Sequence, residues 1–156
     1  MSAEKPTLEM TRLVDAPKDL VFAAWTEEEH LKHWFVPQGF KTVLCEVDLR
    51  VGGSFRVHWE DKKGTNYPNI GVYTEITPTD RIAYVDSFDD EREDNVHTEV
   101  LVLFTEEDGK TRLTSISTFE SKEKLKELLA MGMEQGWSMF MDQMSDYAAG
   151  LAHGQS

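Results

Sequence analysis

The chain has 156 residues, enough for one domain with a full core of its own. Hydrophobic residues make up 40 % of it and aromatics 10 %, which excludes a disordered chain, and the single cysteine, Cys45, excludes an internal disulfide or a cysteine-based zinc cluster. Acidic residues outnumber basic ones 29 to 16, and a net charge of −13 argues against nucleic acid and anionic membranes as partners.

Residues 7–14 (TLEMTRLV) read as a strand. Asp15-Ala16-Pro17 then opens a helix, with Pro17 suited to its first turn and Leu20, Val21, Ala24 and Trp25 at helical spacing. Thr26 reads as the N-cap of a second short helix, whose first turn carries Glu27, Glu28 and Glu29 and whose apolar edge is Leu31, Trp34 and Phe35. Val36-Pro37-Gln38-Gly39 stops it.

From residue 40 the period changes to two. Phe40–Leu49 is one strand, closed by Gly52-Gly53. Phe55, Val57 and Trp59 alternate with Arg56, His58 and Glu60. A turn at Lys62-Lys63-Gly64 would set Trp59 opposite Pro68, Val57 opposite Ile70 and Phe55 opposite Val72, so that apolar sets coincide. After a turn at residues 77–80, Ile82, Tyr84, Asp86 and Phe88 share one face. An acidic loop, Asp89 to Asn95, leads into a strand over 96–106. Asp108-Gly109 is the clearest hairpin signal, and Thr111–Phe119 closes the sheet. Ser121 caps a helical region carrying Leu125, Leu128, Leu129, Met133, Trp137, Phe140, Met141, Met144 and Ala148. The glycines predict a short helix to about Met131, a break near Gly132, and a long helix to about Ala149 ahead of a frayed tail.

The whole is one domain over residues 1–156, with an ordered core of about 7–150. The fold class is α+β: a curved antiparallel sheet of about six or seven strands, two short helices after the first strand, and a long C-terminal helix against the concave face. No apolar run approaches a membrane span, and the N-terminal MSAEKPTLEM lacks the apolar core of a signal peptide, so the expected location is the cytoplasm.

Several stretches taken together resemble a known family. These are TRLVDAPKDLVFAAWTEEEHLKHWFVPQGF, DLRVGGSFRV, GVYTEITPTDRIAY, FTEEDGKTRLTSISTFES and GMEQGWSMFMDQMSDY. In order and spacing they resemble homologues of the activator of the heat-shock protein 90 ATPase, within the START-like, birch-pollen-allergen-like (SRPBCC) superfamily. The resemblance runs from about Leu8 to Ala149. It implies a helix-grip fold with a cavity between sheet and C-terminal helix. Val51 departs from the family's usual proline, and Phe35-Val36 from its common Trp-Gly, which bears on the cavity mouth. Superfamily members bind lipids, hormones or polyketides, and some are cyclases or hydroxylase components.

The candidate ligand-binding set follows from parity and from that fold. Phe55, Val57, Trp59, Ile70, Val72, Tyr84 and Phe88 should face inward from the sheet, and Trp137, Phe140, Met141 and Met144 from the helix, with Trp34 and Phe35 as a lid. The competing reading is an ordinary packed core. Asp86 shares the inward parity, so it is either an anchor or base with a raised pKa or a residue near the strand end, solvated or bonded to backbone. Ser115 and Ser117 share the parity of Leu113 and Phe119 and join the lining.

Other groups read as structural. His30 and His33 have metal-compatible spacing but no third ligand beyond Glu27 or Glu29, so a surface helix is the better reading. His97 reads as an exposed strand residue. The run Asp89–Asp94 lacks the glycine of a calcium loop. Cys45 reads as a buried structural thiol. Signatures of nucleophilic, phosphoryl-transfer and dinucleotide chemistry are absent. Leu101, Leu103 and Ile116 oppose Val100, Val102, Phe104 and Leu113 in parity, so both faces of this hairpin are partly apolar and one needs cover, from a homodimer or a partner, or else from the short helices or a twist in the sheet.

The leading expectation is therefore a binding protein for a small hydrophobic or aromatic molecule, with no cofactor, no metal and no catalytic residue assigned. A chaperone-regulating module is the second. The activators that name the family carry an additional N-terminal domain, which a chain of 156 residues is too short to include. A cyclase-like or hydrolytic enzyme using Asp86 as base is the third.

Overall fold

The computed structural model describes residues 5–90, 93, 95 and 97–154. β1 (Thr7–Val14) leads into α1 (Lys18–Thr26) and α2 (Glu28–Trp34). Six further strands follow: β2 (Lys41–Val47), β3 (Ser54–Glu60), β4 (Asn66–Thr77), β5 (Arg81–Phe88), β6 (Thr98–Glu107) and β7 (Lys110–Thr118). Then come α3 (Lys122–Ala130) and α4 (Met133–Ala152). The strands form one antiparallel sheet in the order β1-β7-β6-β5-β4-β3-β2. Each neighbour from β2 to β7 is a sequential hairpin partner, and β1 closes onto β7. The pair α1–α2 thus bridges the two sheet edges, β1 and β2.

Local chemistry sets the element ends. Asp108 and Gly109 both hold positive φ in the β6–β7 turn, as a two-residue type I′ hairpin demands. Ser121 Oγ accepts the Lys124 N–H at 3.1 Å and caps α3. Gly132, at φ 88°, breaks the chain between α3 and α4. Thr26 is not a cap. It ends α1 and its hydroxyl donates to the Phe22 carbonyl at 2.8 Å, leaving Glu27 as the N-cap of α2. The expected strand start at residue 96 lies outside the described residues, as do 91, 92 and 94 of the acidic run and 155–156 of the tail.

The β3–β4 register differs by one residue from the expected pairing. Trp59 faces Tyr67, Val57 faces Asn69 and Phe55 faces Gly71. The turn decides it. Asp61 and Thr65 close a three-residue loop, with Gly64 in the left-handed region at φ 86°. The Asp61 carboxylate accepts the Lys63 and Thr65 N–H groups, both at 2.9 Å. A one-residue slip moves every side chain of β4 to the other face. Ile70 and Val72 therefore point outward, and Val72 is 39 % exposed. Asn69, Gly71 and Tyr73 take the inward places. An irregularity between Tyr73 and Glu75 restores Ile76 to the core side.

The core lies between the concave sheet face and the helices. Val14, Val57, Val102, Leu113, Met141, Met144 and Ala148 are all fully buried. Phe22 of α1 packs edge-on against Phe104, with centroids 5.2 Å apart. Arg12 points inward from β1 and donates to Asp142 at 2.8 Å and Ser138 at 2.7 Å, tying α4 to the sheet edge. On the other side His30 Nδ1 meets the Tyr147 hydroxyl at 2.8 Å and the His33 ring stacks on Tyr147. That histidine pair docks α2 onto α4. No helix among the described residues is long and apolar enough to cross a membrane.

Candidate functional site

A cavity of about 270 Å³ lies between the sheet and the first half of α4. Its lining comes from most of the sheet. Trp59 enters from β3, Asn69 from β4, Tyr84 and Asp86 from β5, and Thr98 and Val100 from β6. Ser117 enters from β7 with Phe119 just beyond, and Leu8 from β1. Met133, Gly136, Trp137 and Phe140 of α4 cover it, and Phe35 closes one side. Gly136 widens the covering wall, since a Cβ there would meet nothing within 4 Å.

The aromatic wall is built around the end of α2. Pro37 prevents continuation of the helix, so the last carbonyls need other donors. Trp59 Nε1 donates to the Phe35 carbonyl at 2.7 Å. Gln143 Nε2 donates to the carbonyls of Trp34 and Val36 at 2.7 and 3.0 Å. These bonds hold the Phe35 ring 4.9 Å from Phe140, 5.4 Å from Trp59 and 6.5 Å from Trp137, centroid to centroid. Trp137 is oriented by its own bond, Nε1 to Ser115 Oγ at 2.9 Å.

The polar floor is Asn69, Asp86, Thr98 and Ser117. Asp86 pairs in register with Gly71 on one side and Thr98 on the other. The Phe55 ring lies over that glycine, 2.2 Å from where a Cβ would stand. Burial pushes the Asp86 carboxyl up to about 7, and the Ser87 backbone N–H only partly offsets this. Burial likewise holds the Tyr84 phenol well above its ordinary range. Asp86 is half-buried because it opens on the cavity. None of the described residues lining the cavity is cationic. Arg12 is committed to Asp142 and Ser138, and Arg56 to Asp89 and Glu46 on the outer face.

Of the sequence-derived set, Phe35, Trp59, Tyr84, Asp86, Ser117, Trp137 and Phe140 line this cavity. The others do not. Ile70 is on the outer face by the register described above. Val57, Met141 and Met144 are fully buried packing. Trp34 and Phe55 line a separate void of about 10 Å³, together with Trp25 and Tyr84. Trp34 and Phe35 are 1 % and 6 % exposed, so neither is a lid; Trp34 Nε1 is fastened to the Ala24 carbonyl at 2.8 Å. Ser115 acts through Trp137. The lining residues missed were Leu8, Asn69, Thr98, Val100, Phe119, Met133 and Gly136. Asn69 was findable from the Asp61–Gly64 turn chemistry, and Thr98 from its pairing with Asp86.

The remaining candidates have structural partners. Cys45 is half-buried and burial pushes its thiol up to about 11, away from the reactive thiolate. Among the described residues no group of three or more His, Cys, Asp or Glu stands together to hold a metal ion.

A model of the family described as Activator of Hsp90 ATPase homolog 1-like protein matches residues 15–149. The chain belongs to that family. No curated protein matches the sequence. Solved structures of similar proteins agree over nearly the whole chain. A Nitrosomonas europaea protein is 27 % identical, with a TM-score of 0.79 over 94 % of this chain and 96 % of that one. A Mycobacterium smegmatis protein is 26 % identical at a TM-score of 0.79, covering 90 % and 88 %. An AHSA1-like protein from Aeromonas hydrophila shares the fold, with a TM-score of 0.77 at 24 % identity and coverage of 97 % and 99 %. In this member of the family, the helix-grip architecture carries the cavity described above.

Proposed function

We propose that this protein binds a small, largely aromatic molecule in the cavity between the sheet and α4. The observation that carries the reading is the lining itself. The lining combines the rings of Phe35, Trp59, Trp137 and Phe140 with the polar groups of Asn69, Asp86, Thr98 and Ser117. An apolar wall supplies contact area and a few convergent polar groups orient the bound molecule. Each indole on the wall is held by a hydrogen bond, Trp59 to the Phe35 carbonyl and Trp137 to Ser115. The wall is therefore shaped before a ligand arrives, which lowers the ordering cost of binding.

Titration with 2-phenylethanol, read by tryptophan emission, tests this reading. Saturable quenching in the wild type and its loss in Trp137→Ala support it. A linear, unsaturable response in both proteins contradicts it. Catalysis would use the same carboxyl as a base, and would appear as turnover lost in Asp86→Asn.

The family name favours a second reading, contact with a chaperone. The outer sheet face would be the surface for it, because Leu101, Leu103 and Ile116 lie there half-buried, with exposed Val72 on the same face two strands away from β6. Leu101→Asp abolishing recovery of a chaperone would support that reading.

A further inference from the structure

We propose that the cavity selects a small aromatic amine, binding its ammonium group between Asp86 and the rings of Trp59, Trp137 and Phe140. This rests on the binding reading above and names the ligand class.

Two features of the lining carry it. The first is charge. Among the described residues lining the cavity, Asp86 is the only one with an ionisable carboxyl, and none is cationic. A carboxylate in such a place is costly unless something pairs with it. A cationic ligand would supply the pairing that the described lining does not. The second is the aromatic wall. Trp59 and Phe140 have ring centroids 5.5 Å apart, and Trp137 and Phe140 6.1 Å apart. Ring faces attract cations, indoles most strongly. A carboxylate that shares its cavity with several aromatic rings suits an ammonium ion attached to an aromatic body. A carboxylic acid ligand would meet a buried like charge. A neutral alcohol would leave the carboxyl without a counter-ion. The net charge of −13 adds a long-range preference for cations.

The chemistry also predicts a proton balance. Among the described residues, Asp86 pairs in register with Gly71 on β4 and Thr98 on β6, and shares the cavity lining with Asn69 on β4, Ser117 on β7 and Met133, Gly136 and Trp137 on α4, none of which titrates. Tyr84 on its own strand and Tyr73 on β4 are phenols that burial keeps neutral. With its carboxyl at about 7, Asp86 is partly protonated near neutrality, and an arriving ammonium ion favours the carboxylate. Amine binding therefore releases protons below pH 7 and tightens as pH rises from 6 to 8.

The test compares three probes of one shape at pH 8: phenethylamine, 2-phenylethanol and phenylacetate. Calorimetry should show phenethylamine binding about tenfold or more tightly than the alcohol, the usual worth of a charge-assisted hydrogen bond. Phenylacetate should bind most weakly. Asp86→Asn should bring the amine-to-alcohol ratio to about one. At pH 6, two buffers of different ionisation enthalpy should report proton release for the amine alone. If the alcohol binds as tightly as the amine, or the ratio survives in Asp86→Asn, the amine assignment is wrong and the cavity reading stands. If none of the three binds, both fail.

Discussion

Gly71 lies beneath the ring of Phe55. The two are register partners across β3 and β4, and a Cβ on Gly71 would stand 2.2 Å from two carbons of that ring. No side chain fits there without displacing the phenyl group, which itself packs 4.8 Å from Tyr84 and 6.2 Å from Phe35. Gly71→Ala should cost about 2–3 kcal/mol in urea unfolding, through overpacking. Phe55→Leu should be less harmful in the Gly71→Ala background than alone. Additive losses in the double-mutant cycle would show that the contact is not what limits this position.

The Asp86 carboxyl stands at about 7 against an ordinary 3.8. Between those values the folded protein holds a proton that the unfolded chain has released. Stability therefore falls as pH rises through this window. Asp61, held low chiefly by the Thr65 backbone N–H, and Glu107, held low by Arg112, act in the opposite sense. They do so in wild type and variant alike, so the difference between the two proteins isolates Asp86. Asp86→Asn should be more stable than wild type at pH 8 by on the order of 2 kcal/mol, and near equal at pH 4. A constant difference between pH 4 and 8 would contradict the buried carboxyl.

Gly136 separates cavity from stability. It sits inside α4 with open space where its Cβ would be. Gly136→Ala should stabilise the protein by about 0.5–1 kcal/mol, the ordinary gain within a helix. Gly136→Phe should send its ring into the cavity and abolish probe binding while the protein stays folded. Thermal melts and probe titrations on both variants check this pair.

Gln143 holds the end of α2 through two carbonyls. Gln143→Leu leaves both without that donor and should cost about 1–3 kcal/mol. Because those bonds position Phe35, probe affinity should drop with stability. Unchanged affinity at reduced stability would mean that the neighbouring rings alone hold Phe35.

Much of this architecture is legible in the sequence because local chemistry writes it. Asp108-Gly109, Ser121 and Gly132 each mark a boundary through their own backbone preferences. The β3–β4 register is harder to read, because apolar residues stand on both parities of β4. Matching Ile70 and Val72 to the inward face satisfies hydrophobicity, whereas the Asp61–Gly64 turn and the Phe55 ring over Gly71 require the other pairing. The site follows the same division. Inward alternation along single strands finds Trp59, Tyr84, Asp86 and Ser117. Leu8, Thr98 and Met133 reach the cavity only through strand order and the placing of α4, which no single stretch encodes. Polar pairings such as Trp59 to the Phe35 carbonyl, or Gln143 to Trp34, join residues distant in sequence and leave no local pattern.

The binding reading is tested most directly by the four tryptophan indole N–H resonances in a ¹⁵N-labelled sample titrated with indole, 2-phenylethanol and naphthalene. Trp59 and Trp137 line the cavity, whereas Trp25 and Trp34 lie in the packing behind it. The account predicts saturable shifts at Trp59 and Trp137, small changes at Trp25 and Trp34, and no response in Gly136→Phe. Shifts that never saturate, or that persist in Gly136→Phe, would contradict it.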